Sequence, residues 1–522
     1  MKLELYPWQK ECLKAWFNNN CRGIVHVMTG AGKTVLAISA AKQLQSRLGG
    51  VLRIKIIVPQ TVLTAQWASA LQKFGGISRQ EIGFYYGACK CSSSLPYMIY
   101  VINSARYTLS RHILEDLEQG CSVFLIADEC HHYASEENRK IFDFIPHLSG
   151  RSGSLFTMGL SATPYTAGYE QYLVPSLGPE IYRYGLAEAT GTALMVPYAI
   201  FNIALSFTPV ENQRYQEITD KLIYAISSLN TRYPSICKLK GVRFYHALRR
   251  LSVQEASPET VKLAKNVLSL IHQRVSVLYC ADARISAACS LIDTLPSDSR
   301  IILFGERIEQ TDLVFNRLSG MFSGQVGRYY SLMDTDAKKS ALDRYRSGQI
   351  RILVTCRALD EGFDIPSTSV GIVLSSSSVE RQRIQRLGRI LRKCGTGKIA
   401  CLYYFYIQNT SERPEYMTVQ AEYKAHFLTL AYDSQSGCFL HPLYEEASLA
   451  VLKTLQEQGK SQEALNEARR CLQLGLLRAD WLRDPDELNS LKESAPDTRQ
   501  QNYWICMRLI RQVCVDNGLF PT

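Results

Sequence analysis

Short apolar runs rich in β-branched and aromatic residues recur along the first 410 residues, each separated from the next by a segment long enough for a crossover helix. RIKIIVP (53–59), MIYVIN (98–103), SVFLIAD (122–128) and LFTMGLS (155–161) form a first series. Runs that are apolar on both faces predict strands buried between helices, and so a parallel sheet covered on both sides. That α/β domain is expected to span residues 1–195. A second series, VSVLYC (275–280), RIILFG (300–305), RILVTC (351–356), VGIVLS (370–375) and KIACLYYFYI (398–407), predicts a second doubly wound sheet over 271–410. The intervening residues 196–270 are mainly helical in pattern, with Thr208 placed to cap a helix that has Pro209 at its first position. After residue 410 the pattern predicts an α-helical accessory domain, 411–522. Two helices are expected over 443–474, broken at Gly459 with Ser461 capping the second, and a later one carries Trp504, Met507, Ile510 and Val513 on its apolar side. The helix pair has the look of a single tetratricopeptide-type hairpin, but one unit is no solenoid.

Composition narrows the class. The chain has 522 residues, 46% of them apolar, with 18 Phe and 29 Tyr, which excludes a disordered tail protein and suits about three folded units. No stretch approaches the roughly 18–20 uninterrupted apolar residues of a bilayer helix, and MKLELYPWQK lacks a signal-peptide core. A soluble, cytoplasmic protein with no membrane partner is expected. The sixteen cysteines are scattered through core-like segments such as those of Cys280, Cys356 and Cys401, the usage of reduced thiols. The C-x-C of Cys89 and Cys91 and the run Cys130, His131, His132 lack the paired spacing of a structural zinc site. A net charge of +11 permits polyanion binding without requiring it.

Three segments carry chemistry. MTGAGKT (28–34) follows the apolar GIVHV and opens a helical stretch. A glycine-rich turn at a helix N-terminus aims backbone N–H groups at one point; Lys33 adds a cation for β/γ-phosphates and Thr34 a hydroxyl for Mg²⁺. Val27 stands where the full signature has glycine, and an ordinary strand-to-helix turn is the alternative. In FLIADECHH, Asp128 and Glu129 end a buried strand, where one carboxylate can hold Mg²⁺ through water and the other take a proton from the attacking water. An acidic helix N-terminus is the competing reading. In IQRLGRILRK, Gln385, Arg389 and Arg392 share one helical face beside Arg386, suited to phosphate or to a solvated basic surface.

These segments in this order resemble the superfamily-two helicases and translocases over roughly residues 3–407. LYPWQ (5–9) resembles the opening motif, although its usual Arg is replaced by Pro7 or Tyr6 depending on alignment. MTGAGKT resembles motif I, VPQTVLTAQW (58–67) motif Ia, DECH (128–131) motif II, SAT (161–163) motif III, ILFGERIEQ (302–310) motif IV, VTCRALDEGFDIP (354–366) motif V and QRLGRILR (385–392) motif VI. Within the superfamily, DECHH, GLSATPY and ALDEGFDIP look most like the group of type III restriction subunits and XPB repair helicases, and 191–215 resembles that group's passage between motor domains. DEAD-box RNA helicases match less well, because position 131 is His and motif VI opens with Gln385.

The resemblance implies two tandem RecA-like domains with ATP and Mg²⁺ between them. Gln9 would recognise adenine, and Thr29, Gly30, Ala31, Gly32, Lys33 and Thr34 would cradle phosphate, with Thr34 and Asp128 holding the metal. Gly362 and Asp364 would add nucleotide contacts, Arg389 and Arg392 would be arginine fingers beside Gln385, and Glu129 the base. His131, Ser161 and Thr163 would couple hydrolysis to movement. Thr61, Gln66, Ser104, Arg106, Arg307 and Thr355 would contact nucleic acid, DNA rather than RNA, and the helical C-terminal domain would recruit a protein partner. Two other functions fit the same residues: an RNA helicase, or an ATP-gated clamp acting inside a complex. Tyr403 to Tyr406 lie in a predicted terminal strand and suit core packing better than base stacking.

Overall fold

The computed structural model describes residues 4–148, 154–185, 188, 198–253, 257–330, 332–356, 368–375, 399–414 and 425–517. The first sheet contains β1 (Arg22–Val27), β2 (Leu52–Val58), β3 (Ile82–Tyr86), β4 (Cys89–Lys90), β5 (Tyr97–Val101), β6 (Ser122–Asp128), β7 (Leu155–Ser161) and β8 (Glu180–Tyr184). Their order is β4-β3-β5-β2-β6-β7-β1-β8, parallel throughout except for the β3–β4 hairpin at one edge. Strands β2, β5 and β6 are almost wholly buried, as continuous β-branched runs in a doubly covered sheet should be. Around them pack α1 (Pro7–Asn18), α2 (Lys33–Arg47), α3 (Val62–Ala70) and α4 (Leu109–Glu118), which divide the core into one cluster on each face. Because β7 lies between β6 and β1, the C-terminal ends of these three strands sit side by side, with His26 opposite Ser161 and Asp128 opposite Leu160.

The second sheet runs β11-β12-β10-β13-β14-β9-β15-β16 and is again parallel, except for its last hairpin. It comprises β9 (Tyr198–Leu205), β10 (Ile301–Gly305), β11 (Val326–Tyr330), β12 (Ile352–Cys356), β13 (Val370–Val373), β14 (Ala400–Ile407), β15 (Ala425–Asp433) and β16 (Cys438–Leu440). Helices α5 (Pro209–Arg232), α6 (Gly241–Leu251) and α7 (Pro258–Tyr279) form a small bundle with its own apolar core, and Thr208 caps α5 as its sequence predicts. After α8 (Asp282–Thr294) come α9 (Ile308–Met321) and α10 (Thr335–Arg346), and then the C-terminal α11 (Pro442–Glu457), α12 (Gln462–Arg478), α13 (Pro485–Glu493) and α14 (Thr498–Asp516).

Three expectations need correction. VSVLYC is the last turn and a half of α7 and not a strand; a short apolar run is ambiguous between strand and buried helix, and here the helix simply continues. Residues 198–205, placed in the helical connector, form β9 in the middle of the second sheet; all eight side chains are buried, which is the mark of an interior strand. The C-terminal segment is not purely helical, since β15 and β16 extend the same sheet. With β9 and β15 in place, β14 is interior, so Tyr403 packs in the core, stacked on Phe201 at 4.9 Å. The most apolar helical stretch, Pro258–Thr294, has the length and hydropathy of a membrane span, but it comprises α7 and α8 and half of its most apolar window is buried within the protein.

Candidate nucleotide-binding and hydrolysis site

The chain leaves β1, turns through residues 28–32 and enters α2 at Lys33. Gly30 and Gly32 make that turn in the left-handed backbone region (φ 91° and 101°), and a Cβ on Gly32 would come within 2.9 Å of the Gln9 amide. Gly32 is also the N-cap of α2 and offers no side chain, so the helix begins with backbone N–H groups that no cap satisfies. Gln9 is buried, accepts from the Tyr6 N–H at 2.9 Å and donates to the Gly32 carbonyl at 3.0 Å, tying α1 to the turn. Ala31 is buried, and the Thr29 hydroxyl is enclosed with no protein partner. A small-residue cradle with uncapped N–H groups and an orphaned hydroxyl suits a polyphosphate.

The carboxylates arrive from β6. The buried Asp128 accepts from its neighbour's N–H at 3.0 Å on one oxygen and from the Trp67 indole N–H at 2.8 Å on the other. Burial first, and the Glu129 charge second, push its pKa up to about 6. Glu129 turns in the left-handed region (φ 47°) and places its carboxylate 2.7 Å from the Lys33 ammonium. Burial alone would lower the Lys33 pKa, but the Glu129 and Asp128 charges outweigh it and hold it above the ordinary lysine value. The His131 ring lies 2.9 Å from the Ser161 hydroxyl and 3.6 Å from Glu129, and that hydroxyl accepts from the Thr163 N–H at 3.0 Å. Lys33, Asp128, Glu129, His131 and Ser161 therefore form one connected cluster at the C-terminal ends of β1, β7 and β6. Thr34 stands in the first turn of α2, and with Asp128 it supplies the oxygen donors that Mg²⁺ favours. Cys130 is consumed by the core.

The Trp67 and Tyr133 contacts had no sequence signal of their own. Tyr133 donates its hydroxyl proton to the Asp128 carbonyl at 2.8 Å and lies 3.1 Å from that of Ile57, fixing the backbone under the carboxylate. Trp67 closes the motif Ia stretch, yet its spacing says nothing of Asp128, 61 residues away.

Among the nucleic-acid candidates, Thr61 is exposed at the start of α3 and Gln66 is half-buried on it. The Ser104 hydroxyl accepts from the Gly87 N–H at 3.1 Å, and Arg106 donates to Asn138 at 2.8 Å, so both brace loops. Arg307, half-buried at the head of α9, donates to the His272 carbonyl at 3.4 Å. Thr355 is corrected: it is 1% exposed on an interior strand, and its hydroxyl donates to the Leu303 carbonyl at 2.8 Å, leaving no side-chain atom for a strand outside. Gly362, Asp364, Gln385, Arg386, Arg389 and Arg392 lie outside the described residues.

Two parallel sheets, one with a phosphate cradle facing a strand-end carboxylate pair, define a P-loop nucleotide hydrolase of helicase architecture. S. cerevisiae Dbp5 bound to RNA and ADP BeF3 shares the fold, with a TM-score of 0.50 at 12% identity over 82% of this chain and 90% of that one. Residues 2–166 match the type III restriction enzyme res subunit family, and residues 283–394 the helicase conserved C-terminal domain. The DNA 3'-5' translocase XPB2 of Sulfurisphaera tokodaii is 28% identical over 393 residues, 75% of this chain and 79% of that protein. The putative DNA 3'-5' helicase Rad25 of Halobacterium salinarum is 24% identical over 79% of this chain, which spans only 56% of its length. The chain carries a type III restriction res subunit domain and a helicase conserved C-terminal domain, is similar to XPB-like DNA 3'-5' translocases in a way consistent with a superfamily-two helicase of that group, and is a nucleic-acid-dependent ATPase by class.

Proposed function

We propose that this protein is a DNA motor that hydrolyses ATP in the cradle of Gly30, Gly32, Lys33 and Thr34 and converts closure of its two sheets into movement along DNA. The observation that carries the reading is the 2.7 Å contact between Lys33 and Glu129 beside the buried Asp128. A phosphate that takes over the Lys33 ammonium releases Glu129 to accept a proton from water. Asp128 and Thr34 would hold Mg²⁺, which when bound neutralises charge on the phosphoryl oxygens. By family resemblance Gly362, Asp364, Gln385, Arg389 and Arg392 approach the same phosphates from the second domain. The His131–Ser161 contact gives the hydrolytic carboxylate a route to motif III.

DNA is favoured over RNA by the similarity to the Sulfurisphaera and Halobacterium proteins. Phosphate contacts suit a motor that ignores sequence, and the Thr61–Gln66 helix, Ser104, Arg106 and Arg307 are the candidates. A cytoplasmic setting and a protein partner for the C-terminal helices belong to the same proposal. Comparing ATPase stimulation by RNA, single-stranded DNA and duplex DNA, beside strand displacement on a forked duplex, tests it. DNA should stimulate most. Hydrolysis without displacement identifies a translocase, RNA as the strongest activator an RNA helicase, and absence of both activities a clamp.

A further inference from the structure

We propose that Trp67 is a positioning residue which couples nucleic-acid seating on α3 to the carboxylate of Asp128, a role that rests on the motor reading above. The Trp67 ring is 1% exposed and packs in the core between the first sheet and α1, α2 and α3. An apolar side chain would fill that space as well; what the indole adds is an N–H, and a buried N–H must be matched. Its acceptor is Asp128 Oδ2 at 2.8 Å, the oxygen that the local turn leaves untied, since Oδ1 already takes the Glu129 N–H.

The two attachments of Asp128 differ in kind. Its backbone is pinned by Tyr133, whose hydroxyl bridges the ends of β2 and β6. Its side chain is steered by a residue on α3, whose opposite face is open. Thr61 is exposed where the helix starts, Gln66 adjoins Trp67 and is half-buried, and Leu63, Thr64, Trp67 and Ala68 form the inward face. The Thr64 hydroxyl turns back to the Thr61 carbonyl at 2.7 Å, which stiffens the first turn. The helix runs on without a break through the π-helical turn Leu71–Gly75, so a phosphate seated on its outer face shifts one continuous rod, and the indole carries that shift to Oδ2. This path enters the site on the metal-holding carboxylate, whereas the His131–Ser161 contact enters on Glu129.

Linkage gives the test, because two coupled ligands change each other's affinity by one factor. The measurement is the Kd of a fluorescent DNA for the full chain, by anisotropy, with and without Mg²⁺ plus a non-hydrolysable ATP analogue. The native protein should show a shift of about tenfold. Trp67→Phe, which keeps a ring and removes the N–H, should show a shift of no more than about twofold while its nucleotide-free DNA Kd stays at the native value. A merely structural tryptophan would weaken binding in both conditions and leave their ratio alone. If Trp67→Phe fails to fold, β-(3-benzothienyl)alanine at position 67 removes the same N–H with the shape kept. A native-sized shift in either variant, or no shift in the native protein, overturns the proposal with the motor reading intact. Native protein that binds neither DNA nor the Mg²⁺–analogue pair overturns the motor reading itself.

Discussion

Glu129 holds a backbone conformation that costs a non-glycine residue about 1–3 kcal/mol. The compensation is chemical: that turn brings its carboxylate onto Lys33 while Asp128 stays at the strand end. Gly32 solves the opposite problem, since no side chain fits at φ 101° against Gln9. Gly32→Ala should therefore lower the thermal midpoint by a few degrees, for the backbone strain of about 1–3 kcal/mol, and weaken binding of an ATP analogue to the folded protein by at least about tenfold, as calorimetric titration can check; unchanged affinity would mean that the cradle is not where phosphate sits. By family resemblance, Arg389→Ala should leave that affinity nearly intact and lower the hydrolysis rate by about 10³-fold or more, readable as a kcat effect without a KM effect. The places of Lys33 at a helix start and of Asp128 and Glu129 at a strand end were legible in the sequence because each stands in a short contiguous motif beside an apolar run. Thr355 was misread because strand position alone does not say which side of a parallel strand faces a neighbour.

Between elements, the most consequential buried contact outside the site joins the middle of β2 to α4. Lys55 has no exposed surface, and its ammonium lies 2.6 Å from Asp116 and 2.6 Å from the Ser93 carbonyl. Burial holds the Lys55 pKa below its ordinary value in spite of the Asp116 charge. The unfolded chain then binds the proton more tightly, so this residue makes stability rise with pH in the window just below the ordinary lysine pKa of about 10.4. Asp116→Asn should destabilise the fold by about 3–5 kcal/mol, because it strands a buried cation, whereas the double change Lys55→Met, Asp116→Leu should cost far less. Urea unfolding distinguishes them, and equal losses would deny the pair its electrostatic character. Strands β2, β5, β6 and β7 were readable because each is a closed apolar run between polar crossovers, whereas β3, β4 and β8, shorter or partly exposed toward the sheet's edges, carry no such run and were not read. The 275–280 error and the overlooked β9 share one cause: apolar runs of that length do not declare helix or strand, and tertiary neighbours decide.

At the scale of the molecule, the C-terminal helices are part of the second domain's core. Tyr403 donates to the Leu477 carbonyl and Arg478 to that of Thr294 at 2.6 Å, and Tyr444, Leu472, Leu476 and Met507 join one apolar cluster with β9, β10 and β14. Ending the chain at residue 440 should strip the cover from Cys401, Tyr403 and Phe405 and abolish cooperative unfolding of the second domain, which limited proteolysis would reveal as rapid cleavage beyond residue 198; a stable, protease-resistant fragment would show that these helices are separable. The two-sheet plan followed from the sequence pattern, but the sharing of β9, β15 and β16 did not, because strand order depends on contacts across more than 200 residues. The most direct test of the whole is DNA-stimulated ATP hydrolysis by Glu129→Gln, measured beside its nucleotide affinity. Nucleotide should bind as tightly as to the native protein while stimulated turnover falls by about 10²–10⁴-fold. Full stimulated turnover in that variant would contradict the assignment of hydrolysis to the Lys33–Asp128–Glu129 cluster.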